Sequence, residues 1–236
     1  MNIRLDKYLC QCLNITRTEA KKQIKTGQVS VNSETAKKPE AKINPQKDII
    51  SVNHQVLTYE PYVYYMLNKP QGVVSATVDN LHKTVIDLID ENRDDLFPVG
   101  RLDIDTEGLL LITNDGQLGH NLTSPNKHVS KVYYSIVDGA LKEEHIALFL
   151  KGISIGEEKP LKPAKLEILD STPGKSSCYV TITEGKFHQV KRMFQAIGLR
   201  VTFLKRISMG GLTLDETLKP GEYKKLTKEE LEALYD

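Results

Sequence analysis

GRLDIDTEGLLLITNDG, residues 100–116, sets four acids and one arginine around an apolar run from Leu109 to Ile112. A short apolar run bounded by turn residues reads as a strand buried on both faces. Gly108 opens it, and Asn114-Asp115-Gly116 supplies a sharp exit. In extended chain Arg101, Asp103 and Asp105 share one face, while Leu102 and Ile104 share the other. The apolar face is expected to anchor in a core and hold the charged face rigid. Burial of the strand thus fixes the geometry of the acids just outside it.

Further strands are expected at 63–67, 73–75, 131–137, 165–169, 178–182 and 201–207, with helical spacing at 84–90, 117–122, 142–150 and 188–197. Thr227 and Glu230 form a capping box for a last helix. Runs of strands with interspersed helices and no regular βαβ alternation indicate an α+β fold on a mostly antiparallel or mixed sheet. Residues 1–60 differ. Leu5, Tyr8, Leu9 and Cys12 follow helical spacing, Thr16 and Glu19 form another capping box, and Gly27 closes a second helix. Short strands are expected at 28–31 and 48–52. With Glu60-Pro61 as linker, the chain divides into a small α/β unit at 1–60 and a larger α+β domain at 61–236.

A length of 236 residues accommodates two domains, and 39% hydrophobic content supports packed cores. Apolar runs of five to six residues are too short to span a membrane. The N-terminus does not read as a signal peptide, so a cytoplasmic protein is expected, a monomer by default. The three cysteines lack metal-ligand spacing and are expected to be reduced thiols, with no metal site. Charge nearly balances at +1 but is unevenly spread. Residues 1–60 carry ten basic and six acidic side chains, and Lys186 to Arg206 carries six basic ones and no acid. Such stretches are either solvated faces or local positive fields suited to nucleic acid.

A fixed carboxylate is chemically useful when ionised, and an opposite charge a few ångström away keeps it so. Arg101 is the nearest such cation in sequence. The same residues also fit a strand-end salt bridge with no further duty. A third reading pairs two acids, roughly 6–7 Å apart at Cα, as in a glycoside hydrolase. The lack of Trp and an aromatic content of 6% argue against the sugar platforms of such enzymes.

Resemblance tips the balance. GRLDIDTEGLLLITNDG is similar to the signature of the RsuA-type ribosomal RNA pseudouridine synthases. NKPQGVVSA (68–76), KVYYSIV (131–137), EGKFHQVKRMFQAIG (184–198) and LKRISMGGLTL (204–214) resemble that family's other motifs, in its order. RLDKYLCQCLN and TRTEAKKQIKTGQVSVN resemble the S4 RNA-binding fold that precedes the catalytic domain in these enzymes.

The resemblance implies that Asp103 is the essential carboxylate, acting at the ribose while the uracil C–N bond is cut, the base rotates and C5 rejoins C1′. It places the family's active-site tyrosine at Tyr133, which can stack on the uracil and can also accept or donate a proton. It places the family's basic partner of the aspartate at Lys191, where many relatives carry arginine, and leaves Arg192 as a rival partner. Arg101 joins this catalytic set. Expected RNA contacts are Arg4, Lys7, Arg17, Lys21, Lys22 and Lys25 in the S4-like unit, and Lys69, Lys186, His188, Gln189 and Arg192 near the site. No metal or organic cofactor is implied. The expected partner is ribosomal RNA or a pre-ribosomal particle, most simply small-subunit 16S RNA with large-subunit RNA as the alternative. A non-catalytic RNA-binding assembly factor is the reading from another functional class.

Overall fold

The computed structural model describes residues 2–124 and 127–235. Two compact units emerge: Met1–Tyr62 together with Asp90–Asp95, and Val63–Ile89 together with Leu96–Asp236. The acidic segment Asp90–Asp95 therefore groups with the N-terminal unit, although it lies beyond the Glu60-Pro61 linker.

The first unit runs β1 (Ile3–Arg4), α1 (Leu5–Leu13), α2 (Arg17–Lys25), β2 (Val29–Val31), β3 (Glu34–Thr35), β4 (Lys42–Ile43), β5 (Ile50–Val52) and β6 (Gln55–Val56). Asn14, with φ at +49°, turns the chain between the helices, and Thr16 with Glu19 caps α2 reciprocally. Leu5, Tyr8 and Leu9 of α1 pack with Ala20 and Ile24 of α2 against Val29, Ile43 and Ile50. Burial of Ala20 and Ile24, one turn apart, leaves Lys21, Lys22 and Lys25 exposed.

The second unit contains β7 (Tyr64–Lys69), β8 (Phe97–Val99), β9 (Glu107–Thr113), α3 (Gly116–Thr123), β10 (Lys131–Asp138), α4 (Glu143–Lys151), β11 (Lys165–Thr172), β12 (Lys175–Ile182), α5 (Gln189–Ala196), β13 (Arg200–Met209), β14 (Leu212–Thr213), β15 (Tyr223–Lys225) and α6 (Lys228–Ala233). Its mixed sheet is ordered β11-β12-β10-β13-β9-β7-β15, with β14 beside β13 and β8 beside β9. All neighbours are antiparallel except β13 and β9, which run parallel. Leu109 to Ile112 are buried as expected, because β9 lies inside the sheet with cores on both faces. Leu110 and Ile112 face one core, and Leu109 and Leu111 the other.

The β13–β9 junction is short, pairing Lys205 with Glu107 and Arg206 with Gly108. A Cβ on Gly108 would collide with the Arg206 backbone, and its φ of +104° also favours glycine. Two expected elements are smaller than the sequence suggests. Residues 73–75 contribute only a bridge between Val74 and Thr84, and the helix expected at 84–90 is a single 3-10 turn at Ile86–Leu88. Thr84 and Asp87 exchange side-chain and backbone hydrogen bonds there, which closes a turn rather than propagating a helix. Among the described residues no helix is long and apolar enough to cross a membrane.

Candidate active site

Asp103 lies in a tight turn just ahead of β9. The Thr106 amide donates to the Asp103 carbonyl at 3.1 Å, so the extended reading of 101–105 fails here. Leu102 is buried as expected, but Ile104 is 40% exposed because the chain has already turned. The turn is pinned from several sides. The Leu102 amide donates to Ser75 Oγ at 3.0 Å, and the Ser75 hydroxyl donates back to the Leu102 carbonyl at 2.9 Å. The Gly72 amide donates to the Ile104 carbonyl at 2.8 Å.

Lys69 supplies the remaining anchor and corrects its expected role as an RNA contact. It is fully buried, at 0% exposure, and Nζ donates to the carbonyls of Pro70, Asp103 and Thr106, each at 3.0 Å. Burial pushes its pKa down to about 8, against the pull of Asp103, Asp105 and Glu107 in the other direction. A cation in this place fixes backbone and cannot reach a phosphate.

The facing wall is the loop leading into α5. His188 caps the helix in the left-handed region, with φ at +49°. Lys191, one turn in, donates to Asp103 Oδ2 at 2.8 Å and to Asp105 Oδ1 at 2.6 Å. Burial opposes its charge, but hydrogen bonds to both carboxylates outweigh this and raise its pKa. For Asp105, burial works to raise the pKa, and the Lys191 hydrogen bond and charge bring it below its ordinary value. His188 Nε2 lies 3.5 Å from Asp103 Oδ1, so each oxygen of the Asp103 carboxylate faces a different side chain of this wall.

Arg192 is not the partner of Asp103. It points about 100° around the helix from Lys191 and pairs with Glu157 Oε1 at 2.9 Å, while also donating to the Ile155 carbonyl at 2.7 Å. Lys186 joins the same glutamate at 3.2 Å. Gln189 is another correction. It is buried rather than offered to RNA, because Oε1 accepts from the Lys186 amide and Nε2 donates to Glu184. Arg101 is exposed at the edge of the cleft, and among the described residues no ion pair joins it to Asp103.

The two walls flank a small cleft of about 90 Å³ that is open to solvent. Leu102, Ile182, Val190 and Leu204 give it apolar surface, beside Asp103, Lys191 and His188. Tyr133 of β10 also lines it, at 8% exposure, whereas its neighbour Tyr134 is on the other sheet face against Tyr179 and Phe203. Such a cleft presents a charge-paired carboxylate beside an aromatic ring. It suits a flat base attached to a sugar, with the carboxylate at the sugar. Among the described residues no cluster of three or more His, Cys, Asp or Glu side chains is disposed to hold a metal ion.

The basic side chains of the first unit are spread differently. Arg4 pairs with buried Asp6, and Lys7 and Arg17 both reach Asp94. Asp105, expected beside Asp103, shares Lys191 with it, and His188 and Lys69, expected as RNA contacts near the site, instead meet the Asp103 carboxylate and backbone.

Comparison with known proteins gives the family. Residues 63–196 match the family model described as RNA pseudouridylate synthase, and residues 3–50 match the S4 domain. An uncharacterized RNA pseudouridine synthase of Bacillus subtilis, YtzG, is 45% identical over 98% of each chain. Ribosomal small subunit pseudouridine synthase A of Escherichia coli K12 is 41% identical over 97% of this chain and 98% of its own. A crystal structure of a pseudouridylate synthase superposes with a TM-score of 0.70 at 41% identity, covering 98% of this chain and 99% of that one.

Proposed function

The chain belongs to the RNA pseudouridylate synthase family and carries an N-terminal S4 domain, and from that premise we propose that it isomerises a uridine of small-subunit ribosomal RNA, with Asp103 as the catalytic carboxylate. The choice of small-subunit RNA is supported by similarity to the Escherichia coli enzyme named for that subunit. The observation that carries the catalytic assignment is the Asp103 carboxylate held by Lys191 at 2.8 Å in the cleft that Tyr133 lines.

The target uridine leaves its stack, at a cost of a few kcal/mol, and its ribose meets Asp103. Two routes use such an anion: attack at C1′, or removal of the 2′ proton to give a glycal. In both, the C–N bond breaks, the freed uracil turns while held against Tyr133, and its C5 bonds to C1′ as the Asp103–C1′ bond breaks or the 2′ proton is returned; the C5 hydrogen then leaves as a proton to solvent and N1 takes one up. Lys191 meets the Asp103 carboxylate as a single point charge, without the forked, two-point grip an arginine would give. The apolar side chains of the cleft exclude water, which would otherwise leave an abasic site. Arg101 and Lys186 at this site, with Arg4, Lys7, Arg17, Lys21, Lys22 and Lys25 in the S4 domain, neutralise phosphates of the RNA, and His188 meets it beside Asp103.

Tritium release from ribosomal RNA labelled at uridine C5 tests the assignment. Wild-type protein releases label, and Asp103→Asn lowers the rate by about a thousandfold or more, ~4 kcal/mol of barrier. Undiminished release by Asp103→Asn removes Asp103 from the reaction.

A further inference from the structure

We infer that Phe187, stacked on His188 at the rim of the cleft, is the platform for the nucleobase next to the everted uridine. This inference rests on the functional reading above. Phe187 is 75% exposed, whereas Phe149 and Phe194 are fully buried. Its ring lies on the His188 imidazole, with centroids 3.7 Å apart and planes at 20°. His188 in turn reaches Asp103 Oδ1 at 3.5 Å. The two rings therefore form a short stack that begins at the catalytic carboxylate and ends in an open aromatic face.

That arrangement is held in place. His188 occupies a left-handed conformation that a non-glycine residue rarely adopts. Its carbonyl accepts from the Arg192 amide at 2.9 Å, and the Phe187 carbonyl accepts from Arg192 Nη1 at 3.3 Å. Lys186 and Arg192 meet on Glu157, which ties down the loop from outside. Tyr133, nearly buried inside the cleft, is placed for the uracil itself. Phe187 stands outside, where a base that has lost its neighbour presents a bare π-face. Stacking of a nucleobase on an aromatic side chain tolerates any base and contributes a factor of about ten to a hundred in affinity. Phe187 thus offsets eversion and acts as a positioning residue, separate from bond making.

The chain contains no tryptophan, so Phe187→Trp introduces a single fluorescent reporter. With unmodified small-subunit and large-subunit ribosomal RNA transcripts as probes, its indole emission is expected to be quenched on binding, with label release close to wild type. Phe187→Tyr also retains activity. Phe187→Leu, which keeps apolar bulk without a π-face, loses about tenfold to a hundredfold in kcat/KM, with an unchanged unfolding temperature. An unquenched indole at saturating RNA, or a Phe187→Leu protein as active as an active wild type, overturns the platform alone. A wild type that releases no label from either transcript overturns the functional reading, and the platform with it.

Discussion

The two walls of the cleft are built by different means. The Asp103 turn is secured through its backbone: carbonyls and amides at 102, 103, 104 and 106 are tied to Ser75, Gly72 and the buried ammonium of Lys69. The α5 wall is secured through side chains, by Glu157 between Lys186 and Arg192, and by Glu184 on Gln189. Backbone pinning fixes the carboxylate at the cost of adjustability. Ion pairs at a partly exposed loop can be exchanged for RNA phosphates, because such pairs contribute little on their own. The rigid wall therefore suits a group that must be held still, and the exchangeable wall suits a charged ligand.

Substitutions at Lys191 strain this contrast most, since it joins the walls through both Asp103 and Asp105. Lys191→Met is expected to lower kcat by about a hundredfold, the scale of losing one preorganised electrostatic group. Lys191→Arg should recover part of that loss in the same label-release assay.

Lys69→Met tests the backbone wall. Three carbonyls lose their shared donor, which costs about 1–3 kcal/mol of stability and lowers Tm by several degrees, roughly 2–4 °C per kcal/mol. Because the damage falls on the Asp103 turn, kcat should drop more than KM rises.

Alkaline pH separates stability from order at the same lysine. Its pKa falls from 10.5 to about 8 on folding. Between these values the unfolded chain binds more protons than the folded one, so this group's contribution to stability rises with pH. The neutral amine has only two hydrogens for three carbonyls, so the turn loosens in that same window. Turnover is expected to decline above pH 8 without a matching decline in Tm from this group. A pH–kcat profile measured beside thermal unfolding checks the divergence.

The smallest effect belongs to the S4 domain. Lys22→Ala or Lys25→Ala should each reduce the slope of log affinity against log salt by about 0.7–0.9. Arg17→Ala should change it less, since Asp94 already lies 3.4 Å from that guanidinium. Binding titrations across salt concentrations give both values.

Much of this arrangement is legible in the residue order. The apolar run ahead of Asn114 marks the buried strand, and the motif series points to Asp103, Tyr133 and Lys191. The capping boxes at Thr16 and Thr227 are present as expected, because a cap depends on contacts within three residues. What escapes is decided at long range. Arg192 turns to Glu157, 35 positions away, and Lys69 reaches the carbonyl of Asp103, 34 positions away. No local pattern distinguishes a lysine that meets solvent from one that folds inward onto carbonyls. Ile104 departs from its expected face because one backbone hydrogen bond, Thr106 to Asp103, bends a segment read as straight.

The meeting of Gly108 with the Arg206 backbone has a mechanical consequence. Asp103 hangs from the half of the sheet led by β9, whereas Tyr133 and Lys191 belong to β10 and α5 on the far side of that parallel seam. Asp103 and the side chains that face it are thus carried by two plates stitched together at their narrowest point. A methyl group at position 108 would wedge the plates apart and part Asp103 from Lys191 without touching either side chain.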